Sequence, residues 1–186
     1  MIQEKLTIGV IGSLEYMPLG NGLERLGEEL YNTSFYIRAF NDVGDSDRAV
    51  GLIMQGYIEA YKKSKLADGP DEGVFATYPN SKNTHTLSNI ESFFRLNNGN
   101  EINGVILFGG NVGLEIAARY IYINKIPAVA LTCFGGAAQQ IAEKHFDPYR
   151  RGNVITGIGK LEGIGKSLKD KINPVKKIEQ SKQNGK

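Results

Sequence analysis

The chain has 186 residues, of which 41% are hydrophobic, with a formal net charge of +2. That length and apolar content suit one folded domain and exclude wholesale disorder. A single cysteine, Cys133, excludes an intrachain disulfide, and two histidines far apart (His85 and His145) argue against a zinc site.

In chain order, Thr7–Ile11 is a short apolar run ending in Gly12-Ser13, which reads as a buried strand meeting a loop. Asn21 with Glu24 forms a capping box for a helix carrying Leu23, Leu26 and Leu30. Phe35–Phe40 is the second strand and opens into a loop of cap and turn residues, Asn41 to Asp47. Val50, Ile53, Met54, Tyr57, Ile58 and Tyr61 then repeat at helical spacing, and Lys62 and Lys63 suit the negative end of that helix. Gly73–Tyr78 predicts the third strand, and Ser88 with Glu91 predicts a capped short helix. Gly104–Phe108 has no polar alternation, the mark of a strand buried on both faces of a parallel sheet. A helix through Ile116, Ala117, Tyr120 and Ile121 follows, then the strand Ala128–Thr132 and a helix through Ile141. Gly163–Ile172 reads as a last amphipathic helix, with fraying expected from about Asn173.

Strands alternating with helices predict an α/β fold: a doubly wound, mainly parallel, Rossmann-like sheet in a single domain. Residues 1–172 form that domain, and 173–186 form a lysine-rich tail. Residues 160–186 hold eight lysines against Glu162, Asp170 and Glu179. A basic stretch confined to a chain end reads as a solvated tail, so no nucleic-acid partner is expected. No apolar run reaches membrane-spanning length and Met1–Lys5 lacks the parts of a secretory signal, so the expected setting is the cytoplasm with no membrane partner.

Glycine is the informative residue, with 23 in the chain. Three glycine-rich segments follow strands: Gly12-Ser13, Gly109-Gly110-Asn111-Val112-Gly113 and Gly135-Gly136. In a parallel sheet such loops share one edge and converge on one crevice. Each precedes a helix N-terminus, where backbone N–H groups attract an anion, and glycine lets a phosphate or sugar approach the backbone. Glycine serving only tight turns and helix–strand packing is the competing reading. Neither G-x-G-x-x-G after the first strand nor G-x-x-x-x-G-K-[ST] occurs, which disfavours a dinucleotide dehydrogenase or a P-loop enzyme.

The stretch Val105–Ile141 (VILFGGNVGLEIAARYIYINKIPAVALTCFGGAAQQI), with Ile8–Ser13 and the glycine-led helix Gly51–Glu59, resembles the SLOG superfamily. That group includes the LOG phosphoribohydrolases, DprA-like proteins and nucleotide-sensing domains of bacterial defence effectors. The resemblance implies a bound nucleotide-like small molecule, such as an ADP-ribose-type or cyclic nucleotide signal, and a place in antiviral defence or counter-defence. The strand-end segments offer Gly12, Ser13, Gly109, Gly110, Asn111, Gly113, Phe134, Gly135 and Gly136 as ligand contacts; Asp45 and Arg48 head a helix at the same edge, to bind ribose hydroxyls or simply to cap it, and Lys82, after the third strand, is a loose candidate for the enzyme pattern's upstream arginine. No resident cofactor or metal is expected. Glu115 is the candidate catalytic carboxylate of the alternative, a LOG-like nucleoside-monophosphate phosphoribohydrolase. It stands five residues after Gly110, where the enzyme motif P-G-G-x-G-T-x-x-E has six, a rotation of about 100° on a helix. Phe108 also replaces the motif's proline. As an acidic residue in a helix's first turn, Glu115 equally suits the helix dipole. Domains of this group commonly pair through helices, so a homodimer or higher homo-oligomer is implied. The helix Leu114–Tyr122, apolar around its circumference, suits burial on a second face.

Overall fold

The computed structural model describes residues 6–14, 22–40, 46–64, 74–77, 87–94, 102–144 and 154–183. Its elements are β1 (Leu6–Ser13), α1 (Gly22–Asn32), β2 (Phe35–Phe40), α2 (Ser46–Lys63), β3 (Val74–Thr77), α3 (Leu87–Phe94), β4 (Ile102–Gly109), α4 (Val112–Ile123), β5 (Ala128–Leu131), α5 (Gly136–Lys144), β6 (Ile155–Ile158) and α6 (Ile164–Gln183). A 3-10 turn, Thr132–Phe134, joins β5 to α5. The six strands form one sheet in the order β3-β2-β1-β4-β5-β6, and every pair is parallel. The chain builds outward from β1 to β3, returns to place β4 on the other side of β1, and builds outward again to β6. This is the doubly wound α/β architecture.

Side-chain alternation explains why the sheet is covered twice. Ile8, Val10, Ile106, Phe108, Val129 and Leu131 point to one face, packed under α1, α2 and α6. Ile11, Val105, Leu107, Ala128 and Ala130 point to the other, under α3, α4 and α5. Strands buried on both sides need no polar alternation, as the run GVILF indicated. Between Thr7 and Ile8 the β1–β4 register slips by one residue, and the Asn103 side chain accepts a hydrogen bond from the Thr7 N–H at 2.9 Å. The side chain thereby supplies a rung at the irregularity.

Several boundaries differ from the sequence reading, and Gly12 and Ser13, read as the loop after the first strand, are the last two residues of β1. β6 is a strand in a stretch, residues 150–160, that the sequence reading left unassigned. α3 begins at Leu87, so Ser88 lies inside the helix and not at its cap. α6 continues through Pro174 to Gln183, where fraying was expected from Asn173.

α1 and α2 touch backbone to backbone. Gly27 and Gly56 are both buried at the crossing. A Cβ at Gly27 would collide with the Ile53 carbonyl, and one at Gly56 with the Glu24 carbonyl. Beside this crossing Tyr57 donates a hydrogen bond to the Phe35 carbonyl at 2.7 Å and meets Tyr31 edge-on, with ring centroids 5.4 Å apart. Burial, with smaller contributions from Tyr36 and Tyr31, pushes the Tyr57 phenol up to about 12. An unfolded tyrosine ionises near 10, so the native state holds this proton while the unfolded state releases it. The stabilisation is complete below about pH 10 and disappears as pH rises toward 12. Tyr57→Phe is expected to cost about 1 kcal/mol at neutral pH and to flatten the loss of stability between pH 10 and 12. Urea titrations of both proteins across that range check it; equal pH slopes would contradict the assignment.

Candidate functional site

In a doubly wound sheet the strand order reverses between two neighbouring strands, and the loops leaving their C-terminal ends diverge and leave a crevice. Here the reversal lies between β1 and β4. Ser13 ends β1 directly opposite Gly109, the end of β4. The Gly110 N–H donates to the Ser13 carbonyl at 2.7 Å, and the Ala137 N–H, in the first turn of α5, donates to the Gly110 carbonyl at 3.1 Å. The ends of β1 and β4 and the start of α5 are thus tied together at one point.

The backbone there is left-handed at Gly109 (φ 50°), Gly110 (φ 79°), Gly135 (φ 64°) and Gly136 (φ 65°). A Cβ at Gly136 would sit 2.8 Å from the Gly109 carbonyl carbon, and one at Gly109 would strike the Ser13 carbonyl. These two glycines let the loops lie directly on each other. Gly12 plays a similar part lower down, where a Cβ would strike the Phe108 carbonyl. Gly110 faces the Leu114 side chain, with Leu114 Cβ 2.9 Å from where its own Cβ would be. Gly135 differs: nothing lies within 4 Å of the place of its Cβ, so its backbone is open to an approaching group.

Asn111 caps α4. Its side chain accepts from the Gly113 N–H at 3.1 Å and its carbonyl from the Leu114 N–H at 2.9 Å. Gly135 N–H is likewise taken by the Thr132 carbonyl at 3.0 Å. Several amides that would greet an anion are therefore already engaged within the protein. Phe134 is half-buried, with its ring edge-on to Phe108 at 6.2 Å and close to Gly22 in the first turn of α1. It ties the β5–α5 turn to the start of α1, so the first turn of α1 forms part of the same wall.

The structure thus brings together Gly12, Ser13, Gly109, Gly110, Asn111, Gly113, Phe134, Gly135 and Gly136. Asp45 and Lys82 lie outside the described residues, as does the side chain of Arg48, whose backbone belongs to the first turn of α2. Glu115, in the first turn of α4, has Oε1 3.7 Å from Lys144 Nζ at the last turn of α5. Cys133 is exposed, and the burial it does have pushes its thiol up, which opposes a nucleophilic thiolate. Among the described residues, no group of three or more His, Cys, Asp or Glu is placed to hold a metal, and no helix is long and apolar enough to cross a membrane.

Two features of this edge were not read as site elements in the sequence. One is the buried Leu14, whose Cδ2 packs under Gly109. The other is Glu24, whose Oε2 is buried without a hydrogen-bond partner. A separate shallow groove of about 140 Å³ lies between α1 and the β6–α6 turn, lined by Arg25, Glu28, Glu29, Asn32, Leu161 and Glu162. Its three carboxylates would repel a phosphate, and the single arginine pairs with Glu162 at 3.5 Å.

No family model matches the chain, and no curated protein matches its sequence. Among solved structures it is similar to TM1055, a structural-genomics target, with a TM-score of 0.62 and 18% identity over 89% of this chain and 99% of that one. It is also similar to the molybdenum cofactor carrier protein of Chlamydomonas reinhardtii. Two structures of that protein match with TM-scores of 0.56 and 0.55, each at 15% identity, over 92% and 91% of this chain and 99% of theirs. At these identities the likeness is one of fold. The alignment of nearly the whole of each neighbour shows that the doubly wound sheet with its flanking helices is a shared unit.

Proposed function

We propose that this chain is a SLOG-like binding domain that captures a nucleotide-derived small molecule, of the ADP-ribose or cyclic nucleotide kind, in the crevice between β1 and β4. The observation that supports this reading is the meeting of the end of β1 with the loops after β4 and β5 beside the switch point, where Gly109 and Gly136 lie in contact and Gly135 leaves its backbone open. Ligands of open α/β sheets bind at this place because helix N-termini and exposed peptide groups converge there. One neighbour of the same fold is named as a carrier of the molybdenum cofactor. Glu115 remains the residue through which hydrolysis would act.

The test incubates the protein with AMP, NAD and ADP-ribose, follows free base by chromatography, and identifies ligand released on denaturation by mass spectrometry. Binding without base release is expected. Glu115→Gln is then expected to change affinity by only a few-fold and stability by under about 1 kcal/mol, the scale of an exposed ion pair. Base release that falls by about two orders of magnitude or more in Glu115→Gln would instead establish the phosphoribohydrolase reading.

A further inference from the structure

α4 covers one face of the sheet with Leu114, Ala117, Ala118 and Ile121, all buried. Its opposite face is not the polar one that a surface helix ordinarily turns to water. Val112, Ile116, Arg119 and Ile123 recur there at helical spacing, which stacks them in one stripe. Val112 is 72% and Ile123 76% exposed, with Tyr122 beside them at 43%. These are three of the four large hydrophobic side chains exposed among the described residues, so the exposed apolar surface is concentrated on one helix. A concentration of that kind marks an interaction surface. The two flanks of α4 are already taken: Tyr120 stacks on Phe94 of α3 at 4.9 Å, and Glu115 meets Lys144 of α5 at 3.7 Å. The stripe between them is what remains uncovered.

Its pattern is complementary to itself. Val112 and Ile123 stand at equal distances from the Ala117–Ala118 midpoint. Glu115 and Arg119, one turn apart on the same flank, stand at equal distances from Ala117 and carry opposite charges. A two-fold axis across the middle of the helix reverses its direction and keeps each flank on its own side. Val112 then meets the partner's Ile123, and Glu115 comes level with the partner's Arg119. A partner of unrelated sequence would call for no such symmetry. We propose that the outer face of α4 is the interface of a two-fold homodimer, in which two antiparallel α4 helices bury Val112, Tyr122 and Ile123 and exchange two Glu115–Arg119 ion pairs. A carboxylate has acceptor sites enough for Lys144 and for the partner's guanidinium together. Tyrosine and arginine are among the residue types enriched in such surfaces. The pairing requires no ligand.

Sedimentation of the ligand-free full chain across the micromolar range tests this. Wild type is expected at twice the 20.4 kDa mass of one chain. Ile123→Arg puts a charge into the apolar centre and is expected to sediment as one chain, with an unchanged far-ultraviolet circular dichroism spectrum because the position is exposed. Arg119→Glu and Glu115→Arg each set like charges against one another in the dimer and are each expected to weaken pairing by about tenfold or more. Mixed in equal amounts, these two variants oppose two carboxylates to two guanidinium groups, so the mixture is expected to pair again. The contact between position 115 and Lys144 is the same before and after mixing, so recovery reports the cross-subunit pairs alone. Wild type that sediments as one chain throughout overturns the proposal. So does a wild-type assembly whose mass Ile123→Arg leaves unchanged, which places the interface elsewhere. A mixture that pairs no better than its separate components overturns the antiparallel arrangement.

Discussion

Gly56→Val is expected to destabilise the fold by about 3–4 kcal/mol, lowering the melting temperature by about 10 °C. The sign is not obvious from helix propensity, since any residue with a Cβ other than proline is favoured over glycine inside a helix by up to about 1 kcal/mol. Space decides it. A Cβ at Gly56 would overlap the Glu24 carbonyl and approach Glu24 Cα at 2.6 Å. These are backbone atoms of a neighbouring helix, which cannot step aside as a flexible side chain can. Relief requires α1 and α2 to separate, and that opens the layer holding Leu23, Leu26, Leu30, Val50 and Ile53. The same helix contains its own control. Gly51 is exposed with nothing within 4 Å of its Cβ position, so Gly51→Ala is expected to stabilise by about 0.5–1 kcal/mol. Urea denaturation of the two variants should move in opposite directions. A neutral Gly56→Val would mean that the two helices do not cross as closely as described.

The second large effect is expected at Gly136. Alanine there must adopt φ near 65°, at about 1–2 kcal/mol for an L-residue, and must displace the Gly109 and Gly110 peptide groups that its Cβ would meet at 2.8–2.9 Å. Together these predict a loss of about 2–4 kcal/mol and, because the β4 loop is pushed out of place, loss of ligand binding. Gly135→Ala separates the two causes. Its φ of 64° with ψ of −149° is a glycine conformation, so strain of about 1–3 kcal/mol is expected, but no neighbour is struck. Binding by calorimetry and stability by urea would be measured on both. Greater destabilisation by Gly135→Ala than by Gly136→Ala would show that loop contact matters less than backbone strain. Gly110 is a poor probe of the crevice alone, because a branched side chain there would combine a left-handed backbone with a clash against Leu114.

The sequence made the central architecture legible because its signals are local. GVILF announces a strand without a wet face, and glycine clusters after such runs announce loops at one edge. β6 escaped because ITGI has only four residues, with Thr156 and Gly157 breaking the apolar run. α6 was read as ending near Asn173 because Pro174 follows, a residue that normally stops a helix. Gly27 and Gly56 were illegible for a different reason: inside a helix, glycine reads only as a weakness, and what makes it necessary is a second helix far away in sequence. The glycine crevice itself was half legible. The convergence of loops could be read from the strand pattern, but that Gly109 and Gly136 serve each other's contact required their spatial neighbours. The partner of Glu115, 29 residues away on another helix, leaves no mark at all in the local sequence.

α6 has a bearing on how the chain matures. Ile164, Leu168 and Ile172 cover the same face of the sheet as Ile106, Phe108, Val129 and Leu131, and the methyls of Leu168 and Ile172 lie over Gly104 of β4. During synthesis the chain emerges from its N-terminus, so β1 to β5 leave the ribosome before the helix that roofs one side of β4 and β5. Until Ile172 has emerged, that side of the nascent sheet is an oily surface facing water. Docking of α6 then covers that side of β4 and β5, and the interval before it is when a chaperone or a neighbouring nascent chain has access to the uncovered strands.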